Sequence, residues 1–94
     1  MGDLKAAVQS KQHALETRIK LFGEEHQSTA DCYYLLGIRQ HERGDVKAAL
    51  QSHQSALDKR IKLFGKDHKS TAASNRKVEK TQRPLDGLKK RKNK

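Results

Sequence analysis

The chain has one cysteine, one proline, no tryptophan, two phenylalanines and two tyrosines in 94 residues. A lone cysteine, Cys32, excludes an internal disulfide framework. Few aromatics and a hydrophobic share of 33% leave little bulk for a core. A chain this short also buries a smaller share of its surface than a long one. No apolar run approaches the ~18 residues of a membrane-spanning helix. The N-terminus has no hydrophobic signal-peptide region. Met1-Gly2 invites N-terminal acylation, but Ala6 stands where serine or threonine is wanted. These absences predict one small soluble domain, placed in the cytoplasm, with no membrane partner.

Charge is present but uneven. Lys and Arg number 21 against 11 Asp and Glu, a formal +10. Residues 1–74 carry a net +3 and residues 75–94 a net +7. The excess therefore belongs mainly to the C-terminal end.

The dominant feature is a repeat. Shifted by 42 residues, Gly2 to Ala30 falls on Gly44 to Ala72 with 20 of 29 positions identical. Among the exchanges, Thr17 becomes Lys59 and Glu24 becomes Lys66. Self-similarity at such a period marks a solenoid, whose helical unit buries its apolar stripe only against a neighbouring copy.

In chain order, Asp3 is placed to cap a first helix over 3–22. Leu4, Ala7, Val8, Ala14, Leu15, Ile19 and Phe22 supply much of one face, and Gly23 ends it. Ser28, with Asp31 three residues on, forms a capping-box pattern for a helix over 28–42. Gly37 within it costs roughly 1 kcal/mol against alanine, so a neighbouring helix is expected to approach closely there. Gly44-Asp45 makes a short turn into a third helix over 45–64, so these two helices are antiparallel. After Ser70 the repeat fails. Asn75, Val78 and Glu79 stand where Tyr33, Leu36 and Gly37 should recur, and Pro84 opposes helix. The pattern predicts a weak helix over 70–81 and a disordered basic tail over 84–94.

Tyr33-x-x-Leu36-Gly37, then Gly44-Asp45-Val46-x-x-Ala49, then Ala56-Leu57, resembles the tetratricopeptide pattern of a two-helix unit. The 42-residue period and the closing Leu-Phe-Gly-x-x-His-x-Ser-Thr-Ala resemble the longer variety of kinesin light chains and nephrocystin-type proteins. The resemblance covers residues 2–74. It implies an all-α fold of antiparallel helix pairs in a short right-handed solenoid, whose concave face holds peptides or proteins. It assigns 2–23 to the second helix of a partial unit, 28–65 to a complete unit, and 70–81 to the start of a decayed one. Such a chain is expected to be a fragment or decayed member of a longer array. Carried over, the packing positions are Tyr33, Leu36, Gly37, Gly44, Asp45, Ala49 and Ala56, and the groove-facing ones Asp31, Tyr34, Ile38 and His41. Gln40 sits where a tyrosine is common, His53 where an aromatic is usual, and Ile61 replaces a proline of the shorter motif.

No enzyme emerges. His26 and His68 share a repeat position, which suits a structural role in the linker. Zinc needs about four converging ligands, and Cys32 with His26 supplies two at a poor spacing. Cys32 has no neighbouring cation to make it a nucleophile. The glycines are dispersed rather than gathered into a phosphate loop. Neither cofactor nor metal is expected. For Tyr34 and Ile38 two readings stand: packing against a neighbouring repeat, or an apolar strip that anchors a partner.

The function expected is a non-catalytic scaffold module that binds a peptide or protein segment. Self-association through unpaired repeat surfaces is a second expected partnership. The alternative is electrostatic nucleic-acid binding or nuclear targeting through Lys89, Lys90, Arg91 and Lys92, which resemble a short import signal. The tail lacks aromatics that could stack on bases, so nucleic acid is the weaker expectation.

Overall fold

A computed structural model of the chain describes the backbone of residues 3–92 and the side chains of residues 3–85. Four helices follow one another: α1 (Asp3–Phe22), α2 (Gln27–Glu42), α3 (Val46–Phe64) and α4 (Lys69–Lys92). Among the described residues there is no strand. Each helix packs on the next, α1 on α2, α2 on α3 and α3 on α4.

The two linkers are copies of each other in geometry as well as sequence. Gly23 and Gly65 close α1 and α3 with φ of +86° and +88°, a backbone that side chains other than hydrogen resist. Their amides donate to the carbonyls of Ile19 and Ile61, both at 2.8 Å. Four residues after Phe22 and Phe64, His26 and His68 stack on those rings with centroids 4.5 Å apart. Nδ1 of each imidazole then accepts from the amide of Ser28 or Ser70 at 3.0 Å, supplying a partner for an otherwise orphaned helix-start donor. Thr29 and Thr71 tie the entering helix back to the glycine carbonyl at 2.7 and 2.8 Å. The linker histidines thus have the structural role their shared position suggested.

This corrects the start of α2. His26, rather than Ser28, is its N-cap, and the helix begins at Gln27. The Ser28–Asp31 capping box does not form, because the Asp31 carboxylate pairs with Arg60 instead. Asp45 does cap α3, accepting from the Ala48 amide at 3.3 Å. Gly44 and Asp45 donate back to the carbonyls of His41 and Gln40, both at 2.9 Å, and so tighten the α2–α3 turn.

The seams differ in chemistry. Between α1 and α2 lies hydrocarbon: Val8, Leu15, Cys32 and Leu36 are buried, with Ala14, Ile19 and Tyr33 against them. Full burial of each large aliphatic chain contributes about 1.5–3 kcal/mol. Between α2 and α3 the contact is close. Ala49 and Ala56 are fully buried, one turn either side of His53 and Ser52. Gln40 and Ser52 meet in a buried hydrogen bond of 2.5 Å. Between α3 and α4 the buried groups are polar: Thr71, Ser74, Thr81 and Arg60.

α4 also departs from expectation. It passes the predicted end near Thr81, runs through Pro84 and continues to Lys92. Positions 84–92 therefore extend a helix where a disordered tail is predicted from composition. Proline removes one amide donor and crowds the carbonyl of Lys80. Both residues are exposed, so water can serve that carbonyl, and the Leu, Lys and Arg that follow favour helix. The side chains of Lys89, Lys90, Arg91 and Lys92, and all of Asn93 and Lys94, lie outside the described residues.

Candidate functional site

Arg60 is the centre of the polar seam. It is 7% exposed and reaches from α3 to two other helices. One terminal nitrogen, Nη1, donates to the Ser74 hydroxyl at 2.9 Å and the Ser70 carbonyl at 3.1 Å on α4. The other, Nη2, donates to Asp31 on α2 at 3.0 Å. The guanidinium carbon lies 4.6 Å from the Tyr34 ring centroid, a cation–π distance. This fork holds α2 and α4 at a fixed separation, and the space between them is the site.

His53 forms its floor. The imidazole is fully buried, meets Tyr34 edge-on at 5.7 Å and fills the space beside Gly37. Neither ring nitrogen has a hydrogen-bond partner among the described residues. Burial, then the charges of Lys77, His41 and Arg60, push its pKa down to about 4, so the ring is neutral near pH 7. It serves as the aromatic its position usually holds.

Two hollows open between α2 and α4. One, of about 340 Å³, is lined by Ile38, His41, Glu42, His53 and Lys77. The other, of about 160 Å³, is lined by Tyr34, Ala73, Arg76, Lys77 and Lys80. Lys77 belongs to both. Glu42 is engaged by Arg39 at 2.8 Å, which leaves Arg76, Lys77 and Lys80 to set the sign of the surface.

Of the four sequence candidates, the structure brings Tyr34, Ile38 and His41 to these hollows. Asp31 lies on the same helix but is spent on Arg60. The Tyr34 ring packs on His53 and Arg60, and part of it faces the hollow. The packing candidates sit at the seams. Tyr33 and Leu36 join the α1–α2 core, Gly37 meets His53, Gly44 and Asp45 form the turn, and Ala49 and Ala56 are fully buried. Sequence reasoning missed Arg60 and the cations of α4. A signal existed: Arg76 and Lys80 are one helical turn apart, with Lys77 adjacent.

A second cluster joins the first linker to α3. Lys59 pairs with Glu24 at 2.9 Å and lies 5.3 Å from the Tyr33 ring centroid. Lys62 reaches Glu25 at 3.7 Å. Burial alone would lower the Lys59 pKa, but the hydrogen bond and charge of Glu24, with Glu25 and Tyr33, outweigh it and raise it. Burial, then the charge of Glu24, raises Tyr33.

Among the described residues no group of three or more His, Cys, Asp or Glu is placed to hold a metal ion. No helix there is long and apolar enough to cross a membrane. The decisive comparison is with protein families: the tetratricopeptide-repeat profile matches residues 1–62. The chain belongs to the tetratricopeptide-repeat family. No curated protein matches it. The repeats of this family are typically non-catalytic modules for protein–protein interaction or scaffolding.

Proposed function

We propose that this tetratricopeptide chain is a non-catalytic interaction module that takes an acidic peptide segment between α2 and α4. The observation that carries it is the placement of Arg76, Lys77 and Lys80 around hollows floored by Tyr34, Ile38 and the neutral ring of His53. Cations at the rim recruit and orient carboxylates, while a half-buried aromatic supplies an anchor for an apolar side chain. The 42-residue period and long second helix favour the variety seen in kinesin light chains and nephrocystin-type proteins.

Fluorescence anisotropy with a short labelled peptide alternating glutamate and leucine tests this. Lys77→Glu with Arg76→Glu is expected to weaken binding about tenfold or more. A matched lysine–leucine peptide should not bind. Equal binding of both peptides, or an unchanged affinity in the double variant, would overturn the reading.

A further inference from the structure

The repeat makes the α2–α3 seam a template for a contact this chain does not make within itself. α1 corresponds to α3 and α4 to α2, each offset by 42 residues. α3 packs on α2 through one face and on α4 through another, whereas α1 packs chiefly on α2 and α4 on α3. One face of α1 and one face of α4 therefore stand at the positions of the same seam.

The substitutions on those faces are paired. Inside the molecule, Gly37 receives His53; at the corresponding positions stand Glu79 and Lys11. Inside, Glu24 meets Lys59 at 2.9 Å; the counterparts are Lys66 and Thr17. The linker carboxylate has become a cation just where the facing lysine has become neutral. Inside, Glu25 meets Lys62 at 3.7 Å; the counterparts Asp67 and Lys20 keep both signs. Two correspondences oppose the contact. Asp31 becomes Ala73, so Arg18 has no carboxylate there, and Tyr34 becomes Arg76, a charge like that of Lys11.

Exposure points the same way. Leu4, Leu21 and Phe22, three of the four exposed large hydrophobics among the described residues, lie on α1. Their counterparts on α3, Val46, Leu63 and Phe64, are all half-buried. A groove of about 290 Å³ lined by Leu57, Ile61, Lys66, Thr71, Ala72 and Asn75 also opens beside α4. At the matching place in the preceding step the larger Tyr33 packs into the core.

We infer that a second copy of this chain docks its α1 on the exposed face of α4, so that Lys11 of one molecule meets Glu79 of the next. The contact is head-to-tail, each copy offering one α1 face and one α4 face, so it grows as an open series rather than closing as a dimer. Arg76 borders both this contact and the smaller of the hollows between α2 and α4. Because its ion pairs are at the surface, the contact is weak.

Sedimentation equilibrium over a concentration series at physiological ionic strength is the test. Circular dichroism checks that each variant keeps its helices. The wild type is expected to show mass rising beyond two chains. Lys11→Glu and Glu79→Lys should each lower the association constant about fivefold. The double exchange, Lys11→Glu with Glu79→Lys, should restore it. A monomer at every concentration, a mass that stops at two chains, or association indifferent to the single exchanges would overturn the inference.

Discussion

The imidazole of His53 occupies the space that a side chain at Gly37 would need: an added Cβ would meet its ring atoms at 2.6–2.7 Å. Helix propensity alone favours Gly37→Ala by about 1 kcal/mol. Overpacking against a fully buried ring opposes it by about 1–3 kcal/mol, and the ring has no free end to yield. Gly37→Ala is therefore expected to lower the melting temperature in chemical or thermal unfolding. Combined with His53→Ala it should be far less harmful than the two single costs added, because the clash is removed.

His53 also makes the fold acid-sensitive. Its pKa falls from 6.5 to about 4 on folding, so between these values the unfolded chain binds the extra proton and the folded one does not. The stabilising contribution is complete above about pH 6.5 and is lost as pH falls toward 4. The groups facing the ring, Lys77, His41 and Arg60, add to the resistance against charging it. If the whole shift is expressed, the loss is about 3–4 kcal/mol. Denaturant melts across this window should show the slope. His53→Phe should flatten it while preserving stability at pH 7, since two unpartnered buried nitrogens are removed.

Arg60 should be hard to replace even by lysine. Its planar fork reaches Ser70, Ser74 and Asp31 together, which a single ammonium cannot do. Arg60→Lys is expected to cost about 1–2 kcal/mol, and Arg60→Ala about 2–4 kcal/mol. Native-state hydrogen exchange should locate the damage. Protection of α4 amides is expected to fall first, while those of α1 and α2 persist.

The twin linkers give an internal control. His26→Ala and His68→Ala each remove a cap to a serine amide and a stacked ring of the same geometry. Each should cost about 0.5–1.5 kcal/mol, with the two values alike. The double variant should cost their sum within about 0.5 kcal/mol, because the linkers share no partner. Thermal melts of the three variants check both equality and additivity.

What could be read from the sequence was local or repeated. Gly23, Gly44 and Gly65 marked the helix ends, and the apolar spacing of α1 and α3 gave their faces. Gly37 announced a close approach, but not that His53 would be the group approaching. Asp31 shows where local rules fail. Ser28 sits three residues away and suggests a capping box, yet a guanidinium 29 residues along the chain takes the carboxylate. Pro84 failed in the same direction, since an exposed helix face tolerates a missing amide that a buried one would not. The site itself needed the fold. Arg76, Lys77 and Lys80 are visible as cations, but their neighbours Tyr34 and Ile38 come from a helix two elements earlier.

The polar seam around Arg60 sets a thermal asymmetry along the chain. Detaching α4 uncovers hydroxyls of Thr71, Ser74 and Thr81 and a guanidinium, whereas parting α1 from α2 uncovers Val8, Leu15 and Leu36. Apolar exposure raises heat capacity and polar exposure lowers it. Release of α4 therefore carries a small heat-capacity change and a nearly straight dependence on temperature, while the α1 seam follows a curve. Cooling weakens the hydrocarbon end and spares the hydroxyl end, so the two ends of one short solenoid respond to the cold in opposite order.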